Sequence, residues 1–273
     1  MKVSLLIPTY KDLGALKLIL QSLEKQTYKD FEVLVAEDDE STEVKNFLEN
    51  YESTFIIKHL FHENIGNRKA IIMNKALLKS DGAYIIFIDG DTIPYSTFIA
   101  SHVALSEVKT VLCGRRVNLG DKVSLKLRSN KLTAFDLEKK YFRHYFYIND
   151  DNVRHYEQGI HFKPNWFIQK LLTKYNKNAH ILASNFSCFK EDIFSVNGFD
   201  EALPYAPNRD DTDLEWRMIG LGCKMKSVKF CANMFHLNHE RTDRTEEEKV
   251  NMEIILKKQQ RHEYVAKNGI EKL

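Results

Sequence analysis

Cysteine is scarce, no long apolar run occurs and the net charge is close to zero, and each shortage removes a class of protein. The four cysteines, Cys113, Cys188, Cys223 and Cys231, show no CxxC spacing, so neither a disulfide framework nor a zinc site is expected and a reducing cytosol is the default compartment. No stretch approaches the roughly 18 apolar residues that cross a bilayer. The opening MKVSLLIPTYKD has a short apolar run broken by Pro8, too short for a secretory signal and without a cleavage-site pattern, and it reads as a strand. Forty basic against thirty-eight acidic side chains leave a formal charge of +2, too balanced for a nucleic-acid partner. There is no internal repeat and no low-complexity linker. The first half also lacks the GxGxxG of a dinucleotide fold and the GxxxxGK[ST] of a P-loop.

What is present fits one large α/β domain: 273 residues, 43% of them hydrophobic, in apolar runs that alternate with segments of helical period. Strands are expected at Val3 to Ile7, Phe31 to Val35, Phe55 to Leu60 and Ala83 to Ile88. Helices are expected through Leu13, Leu16, Leu20 and Leu23, near Glu43 to Tyr51, and near Lys69 to Lys79. This order predicts a mostly parallel central sheet flanked by helices.

The fourth strand runs into YIIFIDGDTIP, so Asp89-Gly90-Asp91 follows the carboxyl end of a buried strand, where ligands bind in open α/β sheets. Aspartate and glycine also open turns, so position alone leaves a plain turn as the other reading. Three further carboxyl ends converge on the same region: Pro8-Thr9-Tyr10, Glu37-Asp38-Asp39, and the loop Asn64-Ile65-Gly66-Asn67-Arg68. Paired aspartates can divide a divalent cation and a nucleotide between them, and Mg2+ or Mn2+ accepts such oxygen ligands while bridging to phosphate.

Residues 115 to 180 are less regular. Their aromatic and histidine-rich middle reads as amphipathic helices with core aromatics, or as the wall of an acceptor pocket. The charged tail from Glu246 has a thin apolar stripe, Val250, Ile254, Ile255 and Val265. It is expected to pack as a surface helix, with a partner chain or an acidic membrane surface as the other readings.

Taken together, PTY after the first strand, VLVAEDDEST, NxG followed by RxAxxxN (Asn64, Gly66, Arg68, Ala70, Asn74), IIFIDGD, NGFDE, RDDTDLEWR and a late histidine resemble the family-two glycosyltransferases of the GT-A (nucleotide-diphospho-sugar transferase) fold. The second half is most similar to the galactosyltransferase and chondroitin-polymerase branch. The resemblance implies a single domain over 1–245, with a nucleotide-sugar half (1–113) and an acceptor and catalytic half (114–245), followed by the tail 246–273.

It also implies site residues. Pro8, Thr9, Tyr10, Glu37, Asp38 and Arg68 would hold a UDP-sugar, with Asp38 on the base. EDDES stands where DDGS is usual, which leaves two registers for the acidic pair. Asp89 and Gly90 would meet the ribose or sugar, and Asp91 with His236 would hold Mn2+ or Mg2+, His239 competing with His236. Asp211 would be the general base, at a helix amino end that favours its ionised form. Asn185, Asp210 and Trp216 would shape the acceptor site.

The implied activity is an inverting, metal-dependent transfer from a UDP-sugar to a glycan or lipid-linked saccharide, in the cytoplasm or at the inner face of the membrane, with peripheral membrane attachment as one arrangement. The rivals are a catalytically degenerate glycan-binding scaffold and a haloacid-dehalogenase-type phosphatase. The latter places its DxDx[TV] motif after the first strand and requires Thr or Val where Ile93 stands. A sugar nucleotidyltransferase would need a glycine-rich basic loop that PTYKDLG does not supply.

Overall fold

The computed structural model describes residues 1–63, 68–143, 152–174, 179–203, 209–239 and 245–272. The first half alternates as expected: β1 (Val3–Thr9), α1 (Leu13–Leu23), β2 (Phe31–Glu37), α2 (Thr42–Glu49), β3 (Ile56–Phe61), α3 (Lys69–Lys79) and β4 (Tyr84–Ile88). Then come β5 (Thr92–Pro94), α4 (Phe98–Leu105), β6 (Thr110–Cys113), β7 (Val117–Asn118), α5 (Asp121–Arg128), α6 (Ala134–Lys139) and α7 (Phe167–Lys174). The rest is β8 (Asn185–Phe189), α8 (Lys190–Ser195), α9 (Asp210–Gly220), β9 (Lys224–Ser227), β10 (Met234–His236) and α10 (Thr245–Gln260).

The main sheet has the order β3-β2-β1-β4-β8-β6-β9. Only β8 runs against its neighbours β4 and β6, and the other pairings are parallel. Both faces are covered, which is why β1, β2 and β4 are apolar almost without interruption. Alternate residues serve opposite layers. Leu5, Ile7, Ile86 and Ile88 pack with Leu16 and Ile19 of α1, whereas Leu6, Ile85 and Phe87 pack with Ile72, Met73 and Ala76 of α3 and with Leu214 of α9.

Local chemistry sets the helix starts. Asp12 caps α1 by accepting from the Ala15 N–H at 2.9 Å, and Ser41 caps α2 by accepting from the Val44 N–H at 3.3 Å. Asn74, inside α3, fixes the distant NGFDE turn: its amide donates to the Phe199 carbonyl and accepts from the Phe199 N–H, each at 2.9 Å. At Gly198 φ is +69°, so glycine is required there on backbone grounds as well.

A second, three-stranded sheet has the order β5-β10-β7. Its register pairs His236 with Thr92, and the Leu237 N–H donates to the Asp91 carbonyl at 3.0 Å. The late histidine is therefore delivered to the DGD turn by strand pairing.

One expectation is revised. In the 115–180 region Tyr141 enters the core, but Phe142, Trp166 and Phe167 are exposed, and no aromatic among the region's described residues lines the cavity described below; residues 144–151 and 175–178 lie outside those described. The tail packs against the domain. Ile255 is buried, Lys258 is buried against Asp200 and Asp213, and Asn197 donates to the Ala266 carbonyl. All four cysteines are buried and free, and no helix among the described residues is long and apolar enough to cross a membrane.

Candidate active site

The carboxyl ends of β1, β2 and β4 open onto a cavity of about 660 Å³. Pro8, Thr9 and Tyr10 line it from β1, Asp38 from β2, and Asp89, Gly90 and Asp91 from β4. Asp210 and Asp211 face it from the start of α9, with Leu182 and Ala183 beside them. Lys69, Arg116, Arg128, Asp12 and His239 complete the wall.

The acidic pair after β2 takes one register. Asp38 accepts from the Arg68 backbone N–H at 3.0 Å, meets His62 Nε2 at 2.6 Å, and donates its own N–H to the Thr9 carbonyl at 2.9 Å. Glu37 is buried away from the cavity, 2.7 Å from His59 Nε2, and accepts from the Ser41 N–H at 3.2 Å. Its expected donor contact is thus replaced by a role at the start of α2.

At the DGD turn the Asp89 carbonyl accepts from the Thr92 N–H and hydroxyl, closing a tight turn. A Cβ on Gly90 would collide with the Pro8 carbonyl, so only glycine lets the turn lie against β1. The Asp89 carboxylate is 3.1 Å from Lys69 Nζ and 3.4 Å from Arg116 Nη1.

Asp91 Oδ2 lies 3.3 Å from Nε2 of both His236 and His239. One ligand atom from each of these residues falls within 4.8 Å of the others, and Asp91 Oδ1 is buried with no hydrogen-bond partner. Two imidazoles and a carboxylate with a spare oxygen suit a divalent cation, which takes imidazole as a ligand in its neutral form. Burial works to raise the Asp91 carboxyl, but the His236 hydrogen bond and the charges of His236, Arg116 and His239 hold it below its ordinary range.

At α9 burial outweighs the helix amino end. Asp210 is pushed up to about 7, first by burial and then by the charges of Asp211 and Asp89, with Lys69 opposing. Burial also raises Asp211, although the Thr212 N–H donates to it at 2.7 Å. At Asp211 burial therefore opposes the ionised form that the helix amino end favours. Lys69 opposes both shifts: burial disfavours its charge, yet Asp89, Asp210 and Asp211 hold the ammonium above its ordinary value.

Other expected site residues lie elsewhere. Asn185 is fully buried, donating to the Arg115 and Ala232 carbonyls at 2.9 Å each and meeting His102 Nε2 at 3.1 Å, so its polar atoms face the interior. Trp216 sits outside the cavity with its ring centroid 4.9 Å from that of Tyr264, a packing contact with the tail. The Arg68 guanidinium turns to the Glu63 carbonyl, and the Asn64 and Gly66 part of its motif lies outside the described residues.

Lys69, Arg116 and the Asp12–Arg128 pair were not identified from sequence. Arg128 grips Asp12 through two bonds of 2.8 and 2.7 Å across 116 residues, a contact no local spacing signals. Lys69 had a signal, its place beside Arg68 at the start of a helix that follows the third strand.

Comparison with known proteins decides the family, since residues 4–196 match the profile described as Glycosyl transferase family 2. The chain belongs to glycosyl transferase family 2. Chondroitin synthase of Escherichia coli is 23% identical to this family-2 chain over 240 residues, 83% of this chain and 33% of that protein. S. aureus TarS 1-349 in complex with UDP-GlcNAc superposes with a TM-score of 0.60 at 16% identity, covering 93% of this chain and 65% of that one. GalNAc-T7 with UDP, GalNAc and Mn2+ gives a TM-score of 0.61 at 11% identity, covering 93% and 48%. At such identities the likeness establishes the fold, which is GT-A. The chain spans about a third of the length of the curated relatives it matches.

Proposed function

We propose that this family-2 domain transfers a sugar from a UDP-sugar to a saccharide hydroxyl, with inversion at the anomeric carbon and dependence on Mn2+ or Mg2+. The observation that carries the reading is the meeting of Asp38, Asp89 and Asp91 with Asp210 and Asp211 around one cavity. UDP as the nucleotide and a saccharide, free or lipid-linked, as the acceptor rest on likeness to the UDP-GlcNAc complex of TarS and to chondroitin synthase.

In this mechanism Asp38 and Thr9 receive the base end of the donor, and Tyr10, exposed at the rim, covers it. Asp89 accepts from a ribose or sugar hydroxyl while Lys69 and Arg116 hold its carboxylate in place. Asp91, His236 and His239 would hold a divalent cation, which when bound would supply Lewis-acid neutralisation of the diphosphate. Asp211 takes the proton of the acceptor hydroxyl as its oxygen bonds to the anomeric carbon, and the bond from that carbon to the diphosphate oxygen breaks from the opposite face. Lys69, Arg116 and Arg128, the cations around the cavity, favour the negative charge that UDP carries away. Asp210 is the more deeply buried carboxyl and, pushed up to about 7, can donate to an acceptor oxygen in the fraction that holds its proton near neutrality.

The test is UDP release from a panel of UDP-sugars with Mn2+, comparing wild type, Asp91→Ala and Asp211→Asn, because slow donor hydrolysis needs no acceptor. Metal-dependent UDP release from one sugar, abolished in Asp91→Ala, is expected. The reading fails if no UDP-sugar is hydrolysed and UDP with Mn2+ gives no heat of binding.

A further inference from the structure

Helix α7 turns the usual amphipathic arrangement inside out. Gln169 is its buried residue, at 3% exposure, while Trp166 at 51%, Phe167 at 73%, Ile168, Leu171 and Leu172 all face solvent within seven consecutive positions. Single exposed apolar residues are ordinary, but a contiguous set on one short element marks an interaction surface. The segment is moored to the domain and cannot simply fold inward. The Phe162 N–H donates to the Phe230 carbonyl at 2.6 Å, and the Phe162 ring stands between those of Trp166 and Phe230, at 5.7 and 6.4 Å.

Charge identifies the occupant. No Asp or Glu occurs between Glu157 and Glu191, whereas lysines stand at 163, 170, 174 and 177. Lys163 and Lys170 are exposed beside the apolar residues. A protein partner buries apolar surface without needing an acid-free basic surround. A tryptophan and a phenylalanine among leucines, with exposed lysines at 163 and 170, suit the boundary of an anionic bilayer, where aromatic rings sit at headgroup depth and lysines meet lipid phosphates.

We propose that α7, with Trp166 and Phe167 at its start, is a membrane-docking element that seats this domain on an anionic lipid surface. Leu182 and Ala183, which follow α7 in the chain, line the cavity. This docking role goes beyond the proposed transfer reaction and is read independently of it.

Trp216 is the second of two tryptophans, so Trp216→Phe leaves Trp166 as the reporter. In the full chain, Trp166 emission should shift to the blue with vesicles of phosphatidylcholine containing phosphatidylglycerol and stay unchanged with phosphatidylcholine alone. Co-sedimentation should follow the same pattern. Phe167→Ser with Leu171→Ser should abolish sedimentation, while each of Lys163→Gln and Lys170→Gln should weaken it about fivefold. Circular dichroism and UDP-sugar hydrolysis in solution should be unchanged in all of these, which separates loss of docking from loss of folding or of donor chemistry. The proposal is overturned if wild type ignores anionic vesicles, if the serine variant still sediments, or if sedimentation velocity shows that the patch is covered by a second copy of the chain.

Discussion

Lys258 of α10 places its ammonium 2.6 Å from Asp200 Oδ2 and bonds Asp213 Oδ1 as well, so the tail is tied both to the NGFDE turn and to the helix that begins with Asp210 and Asp211. All three side chains are buried. Removing one partner from such a cluster leaves uncompensated charge in a poorly solvated place. Lys258→Met should lower stability by about 3 kcal/mol, read from the urea midpoint, because Arg217 still answers Asp213 at 2.7 Å while Asp200 loses its cation. An unchanged midpoint would refute the idea that the tail is part of the domain.

The raised Asp210 carboxyl fixes the sign of a pH effect. In the unfolded chain it ionises near 3.8, and in the folded protein near 7, so between these values the folded state holds a proton that the unfolded state has released. Folding stability contributed by this group is complete below about pH 4 and falls as pH rises toward 7, by at most about 1.4 kcal/mol per unit. Urea midpoints across that window should decline for wild type more steeply than for Asp210→Asn. Parallel profiles would show that Asp210 ionises normally.

Much of the fold could be read from apolar periodicity, because strands covered on both faces and helices with one buried stripe leave plain patterns. The helix expected near Lys69 to Lys79 is α3 at those bounds, and each of the first four strands lies within two residues of its expected end. The cavity was legible where motifs sit at strand ends, as with Asp38, Asp89 and Asp91. It was not legible where a side chain turns on tertiary context. Asn185 stands at the head of β8 beside the site, yet a buried histidine and two carbonyls claim its amide. Trp216 lies on α9 with the acidic residues but one turn further round, toward Tyr264. Nothing in local sequence connects Asp12 with Arg128.

Both imidazoles beside Asp91 are expected to matter for metal. His236→Ala and His239→Ala should each raise the Mn2+ concentration for half-maximal UDP release by tenfold or more, roughly the 1.4 kcal/mol or greater loss of a ligand bond. Metal affinity should fall on acidification, since a protonated imidazole cannot ligate. Electron paramagnetic resonance of Mn2+ with UDP reads the same loss without turnover. If one variant titrates like wild type, that histidine is not a ligand.

The DGD turn depends on the missing side chain of Gly90. A methyl group there meets the Pro8 carbonyl, which is backbone and cannot rotate away, so the turn and the end of β1 must separate. Gly90→Ala should cost about 1–3 kcal/mol in stability and displace Asp89 and Asp91 relative to Thr9, weakening UDP binding in calorimetry. Wild-type affinity in a stably folded Gly90→Ala protein would mean that the turn and β1 do not share a ligand.

Lys69 is the cation on which the site's carboxylates converge. It is 3.1 Å from Asp89, and its charge opposes the upward shifts of both Asp210 and Asp211. Lys69→Met keeps the length and apolar stem while removing the charge. Asp210 and Asp211 should then hold their protons to higher pH, so the rising limb of the pH profile of transfer should move upward, and Asp89 should be left to Arg116 alone at 3.4 Å. UDP affinity should fall together with kcat, because a cation lining the cavity stabilises the departing diphosphate as well as the bound one. A variant that loses only stability, with its pH profile and UDP affinity intact, would reduce Lys69 to a structural counter-ion.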